Sequence, residues 1–216
     1  MNRDKPIPKC FYKYKGIEHI EHILDILINN RLFCAPPEAL NDPMEGYFIK
    51  GIPTEEGERD MRELRKFPEY WVNYGVVSLS ECNNNYLMWS HYASGFRGLV
   101  IGVEVPDEDV EYMDYDTPIA SEPVSSLEEW NGVNRRSLLV KHFCWTHEEE
   151  WRILKEVDAH ELVLGRYCDL SRITTVICGH KMNDAIRIAI GYVCKGLNIK
   201  VQKTEISDGQ VKIVDA

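Results

Sequence analysis

The spacing of hydrophobic positions changes along the chain, and each change predicts an element. Cys10-Phe11-Tyr12-Lys13-Tyr14 reads as a strand, after which Ile17, Ile20, Leu24, Leu27 and Ile28 recur at helical spacing as far as Asn29-Asn30. Leu32 to Ala35 is a short apolar run stopped by Pro36-Pro37, and Thr54 to Phe67 reads as a charged helix with Thr54 as its N-cap. Gly75 to Ser80 and Gly98 to Val105 are β-type runs, with the polar, aromatic stretch Asn83 to Ser94 between them as a turn and a short helix. Leu127 to Phe143 is predicted helical, Glu149 to Val157 and Ile173 to Cys178 are predicted strands, and Ala185 to Lys195 has the spacing of an amphipathic helix. At the end, Asp208-Gly209 supplies the positive φ angles of a two-residue turn between Lys200–Ile206 and Val211–Val214, which predicts a hairpin.

Strands and helices interleave without regular βαβ spacing, and several strands can pair with near neighbours in sequence. The expectation is an α+β fold, a single domain over 1–216 with a mixed, mostly antiparallel sheet and flanking helices. A chain of 216 residues, 44% hydrophobic and 28% charged, is long enough to bury a real core.

Charge changes the picture locally. The formal net charge is −10, yet Glu104 to Trp130 holds ten acidic residues and no Lys or Arg, which leaves the rest of the chain balanced. Such a run reads as a solvated loop or sheet edge, or as a face for a basic partner. Binding of duplex DNA is not expected, because it rests on clustered Lys and Arg. The seven cysteines are odd in number and form no Cys-x-x-Cys pair, so neither a disulfide framework nor structural zinc is expected. With no apolar run near the length of a membrane helix and no leader-like opening, the expected setting is the cytoplasm, away from membranes.

Three polar clusters are candidates for chemistry. In Asn41-Asp42-Pro43-Met44-Glu45, Asx side chains close a turn on their own backbone, which makes either a rigid loop or a pocket mouth lined by Asp42 and Glu45. In Ser78-Leu79-Ser80, strand alternation puts Ser78 and Ser80 on one face. The following Met88-Trp89-Ser90-His91-Tyr92 places Trp89 in a core and leaves His91 and Tyr92 open to a ligand or to structural hydrogen bonds. In Trp145-Thr146-His147-Glu148-Glu149-Glu150-Trp151-Arg152, a strand beginning here sets Glu148, Glu150 and Arg152 on one face and Trp151 and Ile153 on the other. Two carboxylates so close repel each other unless a cation, a ligand or a nearby Arg relieves them. The tryptophans favour a cleft over a solvated Glu–Arg face, and the strand from Glu149 is expected to be central, with Trp151 and Ile153 buried. There is no Gly-rich phosphate loop, no Gly-x-Ser-x-Gly and no His-Glu-x-x-His.

Taken in order, Tyr12-Lys13-Tyr14, Asn41-Asp42-Pro43-x-Glu45, Ser78-Leu79-Ser80-Glu81, Met88-Trp89-Ser90-His91-Tyr92 and Trp145-x-x-Glu148-x-Glu150-Trp151-Arg152 resemble the sequence blocks of the DUF2971 family (domain of unknown function 2971). The likeness runs from about Phe11 to the C-terminal hairpin. It implies a protein of bacterial or phage origin, linked to phage defence, and it brings no settled activity. The chain is also similar to the ADP-ribosyltransferase fold, in which an early strand carries a basic residue, a later one Ser-x-Ser and a late one Glu-x-Glu. Lys13 or Tyr14, Ser78 with Ser80, and Glu148 with Glu150 keep that order.

That second resemblance implies an NAD-cleaving or ADP-ribosyl-transferring enzyme, with Glu150 on the nicotinamide ribose, Glu148 orienting the acceptor, and His91 with Tyr92 flanking the nicotinamide. Lys13, Tyr14, Asn41, Asp42, Ser78, Ser80 and Arg152 complete the expected ligand-binding set. NAD is the expected cofactor, no metal is expected, and the partner is a small-molecule nucleotide or a macromolecular acceptor. Two alternatives stand beside it. One is a non-catalytic sensing or interaction module, and the other is a metal-dependent nuclease or phosphodiesterase with magnesium on Asp42, Glu45, Glu148 and Glu150.

Overall fold

The computed structural model describes residues 5–44, 49–54, 73–157 and 166–216. In chain order the elements are β1 (Phe11–Lys15), α1 (Ile20–Asn29), β2 (Arg31–Phe33), β3 (Ile49–Pro53), β4 (Asn73–Ser80), α2 (Tyr86–Tyr92), β5 (Leu99–Glu104) and β6 (Val110–Tyr112). They continue with β7 (Ala120–Val124), α3 (Leu127–Ser137), β8 (Glu150–Val157), β9 (Tyr167–Asp169), β10 (Arg172–Cys178), α4 (Asp184–Gly196), β11 (Lys200–Ser207) and β12 (Gln210–Asp215). Eight strands form one sheet in the order β12-β11-β10-β5-β1-β4-β8-β6. All its pairs are antiparallel except β10 with β11, which α4 joins as a parallel crossover. The pairs β2–β9 and β3–β7 stand apart from it. The protein is therefore α+β with a mixed, mostly antiparallel sheet. Among the described residues no helix is long and apolar enough to cross a membrane.

Strand alternation gives the sheet two buried faces. Phe11, Val77, Leu79, Ile101, Val103, Trp151, Ile153, Val176 and Cys178 point to one of them, where Ile23, Ile26 and Leu27 of α1 and Ile190 and Cys194 of α4 cover them. Tyr14, Val100, Ile177 and Val211 point to the other, where Met88 and Trp89 of α2 and Phe96 pack on them. The C-terminal hairpin turns through Asp208 at φ 55° and Gly209 at φ 73°, as the sequence predicts.

Several expectations are revised. The helix predicted over Leu127 to Phe143 stops at Ser137, because the backbone beyond it pairs with Asp114: Asp114 N–H donates to Leu139 C=O and Lys141 N–H to Asp114 C=O. The strand expected from Glu149 starts at Glu150, since Glu149 takes a left-handed φ of 45° that closes the 3₁₀ turn Phe143–Glu148. Trp151 and Ile153 are buried as expected, but β8 lies one strand in from the sheet edge rather than at its centre. The acidic run does supply a sheet edge, since it forms the edge strand β6 as well as β7, and its Glu111 and Glu122 are bonded by Arg135 and Arg136 of α3. The helix predicted over Thr54 to Phe67 lies, apart from Thr54, outside the described residues.

Candidate functional site

β1 pairs with β5 along its whole length, and β4 pairs with β8 along its whole length, yet β1 and β4 share a single paired position, Tyr12 opposite Ser80. Ser80 is in turn opposite Glu150, and Ser78 is opposite Arg152. Residues directly opposite in an antiparallel ladder point to the same face, so Tyr12, Ser80 and Glu150 form one row across three strands. Where the β1–β4 ladder stops, the Lys13 side chain spans the gap and its Nζ donates to Ser78 C=O at 2.8 Å. A cavity of about 80 Å³ opens at this point, lined by Tyr12, Lys13, Tyr14, Asn41, Ser78, Leu79, Ser80, Met88, Tyr92, Lys141, Glu148 and Glu150.

Local rules bring the two glutamates to it. Asn85 caps α2 by accepting from Leu87 N–H and Met88 N–H, and its own Nδ2 donates to His147 C=O at 2.8 Å. That ties the helix to the 3₁₀ turn Phe143–Glu148. Glu149 takes the left-handed conformation between them, and Glu148 and Glu150 converge on one cation. Lys141 Nζ donates to Glu148 Oε2 at 2.6 Å and to Glu150 Oε2 at 2.9 Å. Arg152 Nε donates to Glu150 Oε1 at 2.7 Å, and Arg152 Nη1 to Leu138 C=O at 2.6 Å. Tyr92 OH donates to Glu148 Oε1 at 2.5 Å and accepts from Asn41 Nδ2 at 2.7 Å. The side chains of Lys141, Glu148, Glu150 and Arg152 are all at most 4% exposed.

In so dry a place, desolvation and pairing compete over every proton. Burial pushes the Glu150 carboxyl up, but the Arg152 guanidinium, then Lys141, outweigh it and hold Glu150 well below the usual carboxylate range. Glu148 goes the other way. Its burial, reinforced by the neighbouring Glu150 charge, exceeds what Lys141 gives back, and its carboxyl is raised. Burial opposes the charge of Lys141, yet Glu150 and Glu148 together raise it. Burial raises Tyr92, and its bond to Glu148 adds to this, so the phenol stays a donor. Among the described residues Lys13 bonds no carboxylate; its withdrawal from water, with Lys15 nearby, lowers it to about 8. Among the described residues, Lys13, Lys141 and Arg152 thus stand about the two carboxylates.

Of the residues predicted from sequence, Lys13, Tyr14, Asn41, Ser78, Ser80, Tyr92, Glu148 and Glu150 line the cavity. His91 does not. On a helix it is turned about 100° from Tyr92 and is exposed, making only an edge contact with the Tyr92 ring at 6.3 Å between centroids. Arg152 does not line it either: it is 1% exposed, and its guanidinium bonds Glu150 and the Leu138 carbonyl. Asp42 is buried outside the cavity, where its Oδ1 accepts from Met44 N–H to close the predicted turn and its Oδ2 is unpartnered. Glu45 lies outside the described residues. Ser80 lines the wall with its hydroxyl committed, donating to Glu148 C=O at 2.7 Å and accepting from Cys82 N–H at 3.1 Å. Tyr14 OH is likewise committed to Cys82 C=O.

Sequence reasoning missed Lys141. The signal was indirect: a close pair of carboxylates demands a counter-ion, and Arg152 was the near one in sequence, whereas Lys141 fell inside a predicted helix. Among the described residues no group of three or more His, Cys, Asp or Glu side chains is disposed to hold a metal ion. The oxygens of Glu148 and Glu150 are engaged by Lys141, Arg152 and Tyr92.

Comparison of the chain with protein-family models, with curated proteins and with solved structures finds no match.

Proposed function

We propose that the cleft where β1 and β4 part binds NAD, and that the protein is an ADP-ribosyltransferase-like or NAD-cleaving enzyme of the DUF2971 type. The observation that carries this reading is the convergence of three separated motifs. The strands bearing Lys13, Ser78-x-Ser80 and Glu150 are neighbours, Glu148 stands in the turn that leads into the last of them, and all of these residues line one cavity. The donor set suits one end of such a ligand, with an ammonium for phosphate oxygens, carboxylates for ribose hydroxyls and Tyr92 for a flat ring. NAD supplies a ribose that becomes positively charged as nicotinamide leaves. A buried carboxylate fixed beside that charge lowers the barrier by electrostatic preorganisation. Glu150 takes this role, held in place by Arg152. Its second oxygen is bonded to Lys141, so contact with the ribose requires Lys141 to turn to Glu148 alone. In this reading Glu148, with its raised carboxyl and Tyr92 as donor, orients the acceptor.

The test is nicotinamide release by the wild type and by Glu150→Gln under identical conditions, after melting curves show both folded. The variant should lose about 10²–10³ in rate, the usual effect of removing an electrostatic stabiliser. Equal rates rule out Glu150 as the catalytic carboxylate.

A second reading has its own support, since every oxygen of Glu148 and Glu150 is already bonded within the protein, as in a cluster that only shapes a binding cleft. In that case the protein is a sensing or interaction module, and a place in phage defence accords with the family resemblance. No nicotinamide release from the wild type with water or any tested acceptor decides for it. Thermal shifts with NAD and ADP-ribose, set against magnesium and manganese, separate both readings from a metal-dependent nuclease, because only a ligand of the native state raises stability.

A further inference from the structure

A second cavity of about 460 Å³ adjoins the first and shares Lys13 and Ser78 with it. Its volume is in the range of small-molecule sites, about 300–1,000 Å³. Lys13 and Lys15 both line it from β1. Two residues apart on a strand, they project from the same face about 7 Å apart, close enough to reach one anionic group from two sides. Neither ammonium has a carboxylate bonded to it among the described residues, and Lys13 has only the Ser78 carbonyl. The acidic residue in the lining, Asp25, is spent elsewhere, on Arg31 at 2.8 and 3.2 Å and on Asn29 at 2.6 Å. Burial lowers Lys15, and burial with Lys15 beside it outweighs the opposing Glu150 charge and lowers Lys13 to about 8, as expected of cations drawn from water.

Away from these polar residues the lining is apolar, with Ile26, Leu32, Ala35 and Val76, and it carries the rings of Phe33 and Tyr167. Ile26 and Leu32 form the inner wall, and Phe33 stands 51% exposed at the mouth. Phe33 meets the Tyr167 ring edge-on at 5.7 Å between centroids. The Arg31 guanidinium lies 3.7 Å over the Tyr167 ring and fixes it. Paired cations at one end and exposed ring surface at the other suit a ligand that is dianionic at one end and flat and apolar at the other.

We propose that this cavity binds a nucleoside monophosphate, its phosphate held by Lys13 and Lys15 and its base laid against Phe33 and Tyr167. The inference goes beyond the proposed transfer chemistry and does not require it. Calorimetric titration of the full chain with AMP, adenosine and ribose 5-phosphate tests it. AMP should bind, and the two fragments should each bind at least about tenfold more weakly. Lys15→Met, which touches this cavity and not the other, should weaken AMP by about tenfold or more while melting as the wild type does. Lys15→Gln serves if the methionine variant does not fold.

AMP affinity should also fall as pH rises through about 8. The charged and titratable groups about Lys13 are Lys15 on its own strand, Glu150 on β8, Cys34 and Cys168 beside β2 and on β9, and His22 and Asp25 on α1. No AMP binding at millimolar concentration, adenosine binding as tightly as AMP, or unchanged affinity in the Lys15 variant overturns the proposal. AMP binding without nicotinamide release defeats the transfer chemistry alone. Nicotinamide release with AMP affinity indifferent to Lys15 defeats this site alone.

Discussion

Lys141→Met keeps the length of the side chain and deletes the ammonium that joins Glu148 to Glu150. Glu150 retains Arg152, so the uncompensated charge falls on Glu148, left with the Tyr92 hydroxyl. Breaking a buried pair by removing one partner costs about 3–5 kcal/mol. Glu148 limits that cost by taking up a proton, which it already does more readily than an ordinary carboxyl. We expect a loss of about 3 kcal/mol at pH 7.5, relieved by up to about 1.4 kcal/mol per pH unit on acidification. The sign follows from the raised folded-state pKa of Glu148: the folded form binds more protons than the unfolded chain, so stability falls as pH rises from the unfolded value of 4.5 through the folded one. The variant should show this slope more steeply than the wild type. Urea unfolding followed by tryptophan fluorescence at pH 5 and pH 7.5 measures it. Adding Glu148→Gln should restore about half the loss, because a neutral amide still accepts from Tyr92. A loss below about 1 kcal/mol at pH 7.5, or the same loss at both pH values, would refute the counter-ion role.

Ser80→Ala should cost about 1–3 kcal/mol in the same assay, since it leaves the Glu148 carbonyl and Cys82 N–H unpaired in a buried place. Asn85→Ala removes a helix cap and the tie to His147, and a loss of about 1–2 kcal/mol is expected, with the difference read from urea midpoints at constant slope. Gly98→Ala should destabilise by about 2 kcal/mol or more, because an added Cβ meets the Lys15 carbonyl and the Ala93 backbone; soluble yield and melting temperature report it. Lys13, lowered to about 8 from 10.5, binds fewer protons folded than unfolded between those values, so wild-type stability should gain a rising contribution over that window. Lys13→Met should abolish that contribution, and an unchanged alkaline profile would show Lys13 to be solvated.

Much of the fold was legible because most strands and helices carry their own periodicity. The core strands, α1, α4 and the Asp208-Gly209 hairpin follow from local pattern and turn chemistry that no distant contact overrides. What failed were elements whose boundaries distant chain decides. The segment after Ser137 has helical spacing but gives its backbone to Asp114, and β6 and β9, of three residues each, are too short to show a period.

The candidate site divides in the same way. Sequence alone picked out the candidates, since Ser78, Ser80, Tyr92, Glu148 and Glu150 stand out as polar residues beside strand-like or aromatic stretches. Only the tertiary structure decided which of them face a cavity. The single β1–β4 pairing opens the cleft, Glu148 and Glu150 on either side of the left-handed Glu149 converge on one cation, and helix geometry sends His91 outward. It also brought in Lys141, for which no local pattern exists. A counter-ion is chosen by distance through space, and periodicity carries no record of what lies across a buried gap.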